Sequence, residues 1–335
     1  MSKFVIVVYD LSRDSVGGVQ NRAYRFLVGL YKYSSYDVIV FNLYFNNPFY
    51  YDDKLIMNFS EVSDLHLELN NFLKNNPVDF VYFIDYRHIL SLDPVLLKNK
   101  NFKLIASIPD IEHYRFKLDR SCQKKLKIES IFFKKINFLK IDFLHVSCSS
   151  HKMLANCFFK TTAKYIITPI GLISDNYAWD KKQMNGIFAT RLKKYKNNNK
   201  INKFLLYLNK CYYFTDNKKI NSHNISNKLF YKQAPSFERI IPYYKKAILN
   251  FSLGYLETFS NSLVEGGFYG CVPVVLPSNF VAIDLFESNI IFPNELPFLD
   301  FADIQRKSLK VYLLSRTKFD LSKNIAFFLN VINNG

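Results

Sequence analysis

Short apolar runs alternate with stretches of helical period along most of the chain, and this alternation restricts the fold more than any single residue does. Residues 4–9, Phe-Val-Ile-Val-Val-Tyr, have no polar face. A strand of that kind must be covered on both sides. A loop over 10–18 follows, and 19–31 then takes a helical period through Ala23, Phe26, Leu27 and Leu30. Further strands are predicted over 37–43, 80–84, 102–107, 143–147 and 165–168, with a helix over 59–73 that puts Val62, Leu65, Leu69 and Phe72 on one side. Ser149 or Ser150 caps a helix over 153–158. Strands apolar on both faces and separated by helices imply a doubly wound parallel sheet, which holds ligands at the carboxyl ends of its strands.

The second half continues the series, with a helix over 201–209 and strands over 211–214 and 229–231. Residues 247–253 form a strand and 254–259 a loop. Ser260 or Asn261 is the N-cap of a helix that ends at Gly270, and the next strand opens on Pro273. Two carboxylates bracket the start of that helix, Glu257 just before it and Glu265 inside it. A helix N-terminus offers unpaired N–H groups and a positive dipole end, which suits phosphate, and carboxylates beside it accept hydrogen bonds from hydroxyls. A diphosphate flanked by polyhydroxylated groups describes a nucleotide sugar. Beyond this stretch, 289–292 reads as an edge strand, and 301–314 and 321–331 as helices.

A chain of 335 residues with 49% hydrophobic content has core material for two domains. Its five cysteines, Cys122, Cys148, Cys157, Cys211 and Cys271, form no C-x-x-C pair and read as buried thiols in a reducing compartment. The first apolar run is too short for a signal peptide, and no stretch approaches the ~18 apolar residues of a membrane span. The expected location is therefore the cytoplasm, including the inner face of the membrane. Neither G-x-G-x-x-G nor G-x-x-x-x-G-K-[ST] is present, which sets aside dinucleotide and P-loop chemistry. His66, His88, His145, His151 and His223 lack metal-ligand spacing, and there is no D-x-D, so no metal site is expected.

A formal net charge of +17 asks for an anionic partner: a nucleotide diphosphate, a phospholipid surface or a nucleic acid. Basic residues concentrate over 115–140, where only Asp119 and Glu129 oppose Arg115, Lys117, Arg120, Lys124, Lys125, Lys127, Lys134, Lys135 and Lys140. Ile128, Ile131, Phe132, Phe133, Ile136 and Phe138 are interleaved. At helical spacing this is either a helix resting on an anionic bilayer or a surface helix whose apolar side enters the core.

Glu257 and Glu265 have seven residues between them and are followed by a Gly-rich segment and Gly-Cys-Val-Pro-Val-Val. They resemble the E-x7-E signature of retaining GT-B glycosyltransferases, the GT4-like group 1 that includes many polysaccharide and lipopolysaccharide enzymes. The resemblance implies an α/β chain of two Rossmann-like domains facing a central cleft. An acceptor-binding domain would span 1–175, a nucleotide-sugar-binding domain 176–318, and a last helix within 319–335 would cross back to the first. Gly17 and Gly18 are similar to the family's Gly-Gly loop after the first strand, where glycines let the backbone approach a phosphate or sugar. Residues 166–173 look like the turn that closes the first domain, 186–197 like the first strand and loop of the second, and 237–247 like the short helix that leads to the strand before Glu257. In the loop, Arg191 and Lys196 match the Arg and Lys, five positions apart, that grip the donor diphosphate, while Asn197 replaces the usual Gly. Residues 105–114 depart from the family's His-Asp-like element. Pro109 stands where a His is expected, and Asp110 and His113 are left as the groups to approach the acceptor hydroxyl or the sugar.

The reaction implied is retaining glycosyl transfer from a nucleotide-diphosphate sugar to a glycan or lipid-linked acceptor, in surface polysaccharide or lipopolysaccharide biosynthesis, without metal or other cofactor. Glu257 would hold donor-sugar hydroxyls and Glu265 the ribose. Arg191, Lys196 and the backbone at Ser260, Asn261, Ser262 and Leu263 would stabilise the diphosphate. Two alternatives share the basic charge: a DNA-modifying glucosyltransferase, and a non-catalytic membrane- or nucleic-acid-binding protein of the same fold.

Overall fold

A computed structural model describes residues 2–11, 18–44, 48–52, 54–109, 111, 113, 123–189, 198–215, 228–233, 237–254 and 260–335. Its strands are β1 (Lys3–Tyr9), β2 (Asp37–Leu43), β3 (Ile56–Phe59), β4 (Phe80–Phe83), β5 (Lys103–Ser107), β6 (Phe143–Val146), β7 (Lys164–Ile167), β8 (Gln183–Ala189), β9 (Lys210–Thr215), β10 (Leu229–Gln233), β11 (Ala247–Ser252) and β12 (Val272–Val275). The α-helices are α1 (Gly18–Tyr33), α2 (Val62–Asn75), α3 (Pro94–Lys98), α4 (Gln123–Lys135), α5 (Ser149–Phe158), α6 (Phe237–Lys246), α7 (Asn261–Phe268), α8 (Phe280–Phe286), α9 (Phe301–Lys318) and α10 (Leu321–Asn334). They divide into two compact units. One draws on Met1–Phe116, Ser121–Ile170 and Leu321–Gly335, and the other on Gly171–Asp320.

The first unit is built on a seven-stranded parallel sheet in the order β3-β2-β1-β4-β5-β6-β7. β1 lies inside the sheet, paired from Lys3↔Asp37 with β2 and from Phe4↔Phe80 with β4. Its apolar run is covered on both faces, and Phe4, Val5, Ile6, Val7 and Val8 are buried. On one face α1 and α10 pack together: Phe26, Leu27 and Leu30 share a core with Leu321, Ile325, Phe328 and Ile332. The Phe328 ring stands edge-on to Phe26 at 5.0 Å and to Tyr82 at 5.7 Å. The helices approach closely because α1 presents Gly29, where a Cβ would lie 2.7 Å from Ile325 Cγ1.

The second unit has a five-stranded parallel sheet in the order β10-β9-β8-β11-β12. Helix α9 lies against α7, and the segment entering β8 is fastened beside it. Trp179 Nε1 donates to Ser308 Oγ at 3.0 Å, Ser308 Oγ donates to Gly270 O at 2.6 Å, and Arg316 pairs with Asp175.

Several local expectations need correction. Phe59 closes the short edge strand β3 instead of opening a helix, and α2 starts three residues later. Cys148, not Ser149 or Ser150, occupies the N-cap of α5. Residues 198–207 wind as a 3-10 helix, and 289–292 contributes only the single bridge Val274↔Ile291 instead of a strand. Cys148, Cys211 and Cys271 are buried, and burial pushes the Cys211 and Cys271 thiols up to about 12 and about 11. Cys157, expected inside, is exposed. Cys122 lies outside the described residues. Among the described residues no helix is long and apolar enough to cross a membrane.

A buried histidine ties the first sheet to the chain beyond β7. His145 is 1% exposed, its Nε2 2.8 Å from Thr168 O and its Nδ1 2.7 Å from Tyr82 Oη. The carbonyl can only accept, so Nε2 carries the proton and Nδ1 accepts from the phenol. Burial, reinforced by the Arg22 charge, holds this imidazole well below its usual range. A folded-state pKa below the unfolded value of ~6.5 means that the unfolded chain takes up a proton which the folded chain refuses, so stability falls as pH drops through that value. Urea unfolding should therefore show a lower midpoint at pH ~5 than at neutrality, and His145→Gln should reduce that difference.

Candidate functional site

Each unit starts from a strand inside its sheet. In the second unit β9 and β10 are added on one side of β8, and β11 and β12 on the other. The connections leaving β8 and β11 therefore diverge, and the place between their carboxyl ends is where such sheets bind ligands. The two sequence stretches read as donor-binding begin there: the loop carrying Arg191 and Lys196 follows Ala189 at the end of β8, and that carrying Glu257 follows β11. Arg191, Lys196 and Glu257 themselves lie outside the described residues, as do Gly17 and Asp110.

After the Glu257 loop comes α7. Ser260 is its N-cap, with φ −105° and ψ 99°, and its side chain makes no capping hydrogen bond. The Ser260 and Ser262 hydroxyls instead lie 3.2 Å apart, both partly exposed along with Asn261. Leu263 is buried, and its N–H donates to Ser260 O at 3.1 Å. Ser260 thus caps the helix without using its side chain, and a helix N-terminus suits an anion. One turn further, Glu265 is only 5% exposed. Helical period alone does not show this, because Glu265 falls beside Gly266 and Gly267 on a helix with little side-chain bulk to judge by.

Asn250, fully buried on β11, donates from Nδ2 to Ser262 O at 2.6 Å and so fixes the first turn of α7 to the strand. The helix comes close enough only because residue 266 is glycine: a Cβ there would stand 2.2 Å from Asn250 Nδ2 and 3.1 Å from the Tyr244 ring. Gly266 is therefore a packing device that sets the height of the helix over the sheet, while Gly267 makes room for Phe286 and Ser315, where a Cβ would lie 2.6 Å and 2.8 Å away.

In the first unit Gly18 opens α1 after the β1 loop. His113, beyond β5, is held by Glu129 of α4. Glu129 Oε2 accepts from the His113 N–H at 2.7 Å and also meets Nδ1, while Oε1 accepts from Tyr86 Oη. Ser130 Oγ lies 3.3 Å from His113 Nε2. Glu129 is 0% exposed, so His113 is anchored by a buried carboxylate and not left as a loose loop residue. Burial first, and the Glu129 charge second, hold the Tyr86 phenol well above its ordinary pKa. The sequence did carry a signal for Glu129: it shares a helical face with Phe132 and Ile136, both buried.

No protein-family model matches the chain, and no curated protein matches it in sequence. Solved structures do match. Sucrose-phosphate synthase from Thermosynechococcus elongatus aligns with a TM-score of 0.77 at 10% identity, covering 100% of this chain and 99% of that one. WaaG, a glycosyltransferase involved in lipopolysaccharide biosynthesis, aligns at 0.68 and 10% identity, over 99% of this chain and 100% of its own. An alpha-glucosyltransferase in complex with UDP-glucose and DNA containing an abasic site aligns at 0.63 and 11% identity, with 99% and 100% covered. The chain has the GT-B fold.

Within the GT-B fold, the α7 entrance and the Asn250 tether belong to the second parallel unit, and the His113–Glu129 pair to the first. Gly266→Ala should test the tether. A methyl forced against Asn250 is expected to cost about 1–3 kcal/mol, typical of overpacking. Urea unfolding would read it, and an unchanged midpoint would mean that α7 does not sit this close to β11.

Proposed function

We propose that the chain transfers a sugar, with retention at the anomeric carbon, from a nucleotide-diphosphate sugar to a glycan or lipid-linked acceptor in surface polysaccharide or lipopolysaccharide biosynthesis. The observation that carries this reading is Glu265, a carboxylate 5% exposed just inside a helix that follows the β8/β11 divergence. A carboxylate is buried at low cost only where hydrogen-bond donors meet it. A ribose diol, which donates two hydrogen bonds, is a natural ligand for one held beside a phosphate-binding helix end.

In this scheme Glu257 holds hydroxyls of the donor sugar and Glu265 those of the ribose. Arg191, Lys196 and the N–H groups at Ser260–Leu263 take up the charge that develops on the diphosphate as the anomeric C–O bond breaks. The transition state is oxocarbenium-like, so stabilising the leaving group is the main electrostatic task, and no metal is needed for it. The acceptor oxygen bonds to the anomeric carbon while its proton passes to the departing diphosphate oxygen. Gly17 and Gly18 let the first unit's backbone approach the donor, and Asp110 and His113 serve the acceptor side.

The basic stretch adds a proposed location. On α4, Lys125, Lys127, Lys134 and Lys135 are exposed together with Ile128 at 42% and Ile131 at 47%, and Phe138 just beyond is 79% exposed. Phe132 and Ile136 enter the core, so the helix is both anchored and left with an outer apolar strip among lysines. That combination fits the cytoplasmic face of an anionic membrane. Vesicles containing phosphatidylserine should sediment the protein. Neutralising Lys125 and Lys127 should weaken this, and undiminished binding would exclude α4 as the contact.

Thermal shift against UDP-, GDP- and CMP-linked sugars should give stabilisation by one of them. The +17 charge also fits DNA as the acceptor, and stabilisation by duplex DNA as well as by a nucleotide sugar would favour that second reading. Arg191→Ala is expected to lower turnover roughly a hundredfold, as loss of one charge-stabilising donor does. Unchanged turnover would remove Arg191 from the site.

A further inference from the structure

The first sheet has its own divergence. β2 and β3 extend to one side of β1 and β4–β7 to the other, so the connections after β1 and β4 part between those two strands. Tyr9 is the last residue of β1, and Asp85 lies just past the end of β4, followed by a 3-10 turn, Tyr86–Ser91, that carries His88. The first turns of α2 bring in His66. Tyr9 Oη lies 2.9 Å from His66 Nε2, and the Tyr9 ring stacks on His88 with centroids 3.4 Å apart and 16° between planes. All three side chains are partly exposed.

The carboxylate at this mouth is matched by a guanidinium. Asp85 caps the 3-10 turn by accepting from Arg87 N at 3.1 Å, and it takes the Arg87 guanidinium through Nε at 2.8 Å and through a second nitrogen. Burial works against the Asp85 charge but the Arg87 pair prevails, holding its carboxyl at about 2. Burial holds His66 below the usual imidazole range and pushes His88 down to about 4. Near neutrality the mouth between β1 and β4 therefore presents a phenol and two neutral imidazoles. Each of these groups both donates and accepts hydrogen bonds, and none adds net charge. A sugar hydroxyl, itself donor and acceptor, finds its complement in these groups. Perturbed titratable groups at a sheet's divergence also mark binding sites in general.

We infer that Tyr9 and His66, backed by the His88 ring, form a binding site for a hydroxyl of a neutral sugar on the acceptor. This rests on the glycosyl-transfer reading and gives its acceptor side a chemical class. Tyr9 and His66 are positioning groups here: they hold the hydroxyl and take no part in bond breaking.

The test uses the full chain with 15N-labelled histidine, with His66 and His88 signals assigned from His66→Gln and His88→Gln. It is titrated with the methyl glycosides of glucose, galactose and N-acetylglucosamine. At least one glycoside should shift the His66 ring nitrogens saturably. Tyr9→Phe, which keeps the ring and its stacking but loses the hydroxyl, should weaken that glycoside roughly fivefold, the worth of one neutral hydrogen bond. An unaltered thermal melt of Tyr9→Phe would exclude a folding defect. No response at His66 to any of the three, or a response undiminished in Tyr9→Phe, overturns the site. Nucleotide-sugar thermal shift separates the two levels: donor stabilisation without a His66 response removes this site alone, whereas absence of donor stabilisation removes glycosyl transfer itself.

Discussion

A parallel sheet that begins at an interior strand must send its chain first to one side and then to the other, and the connections at the turning point cannot cover both strand ends. That constraint shapes both units. In one it opens the ends of β1 and β4, and in the other those of β8 and β11. Right-handed crossovers fill the sheet faces with helices, so the strand ends are where polar side chains can gather without breaking a core. The polar groups of this chain follow that rule: Tyr9, Asp85 and His88 sit at one turning point, and the entrance of α7 follows the other.

The two places are built by different means. Around α7 the work is done by backbone and small residues: Asn250 ties strand to helix, and the absence of a side chain at Gly266 lets the tether close. Such a site has little side-chain freedom to lose when a ligand arrives, which favours a ligand gripped through N–H groups. At β1 and β4 the work is done by rings. A stacked phenol and imidazole with a second imidazole on the hydroxyl is pre-oriented by aromatic packing and by the Asp85–Arg87 cap. Under the glycosyl-transfer proposal a diphosphate would meet the first kind of surface and a sugar hydroxyl the second.

The apolar runs revealed the strands well because a strand covered on both faces leaves no ambiguity of register or side; β1 and β2 fall within a residue of their expected limits. Short elements were less legible. β3 has only four residues, Ile-Met-Asn-Phe, all of intermediate burial, so its composition carries no periodic signal and Phe59 was absorbed into the following helix. The N-cap of α5 was misplaced because two serines next to each other both have good capping chemistry, yet Cys148 takes the extended backbone conformation that defines the position. Spacing drew attention to the α7 entrance because its candidate residues lie close in sequence. It missed Glu129 and the Tyr9–His66–His88 group, whose members lie on different elements and meet only through the order of strands.

Net charge and site charge speak to different questions in this molecule. Lys182 is 3% exposed, yet its ammonium serves the fold: Nζ donates to Tyr244 O at 2.7 Å and to Lys245 O at 3.2 Å, closing the end of α6, and burial draws its pKa down. The basic surplus lies largely outside, on exposed lysines such as those of α4. Surface charge of that kind acts over a Debye length of ~8 Å at physiological ionic strength. It raises the local concentration of anionic partners without choosing among them. Choice falls to groups that are dry and fixed. Among these the carboxylates stand out, because Glu129 and Glu265 are buried in a chain whose overall charge is strongly positive. Glu129 is engaged within the fold by Tyr86 and His113, so its burial is explained without a ligand. Under the glycosyl-transfer proposal Glu265 would discriminate among hydroxyls, since an acceptor-only group in a dry setting rejects any ligand that brings no donor to meet it.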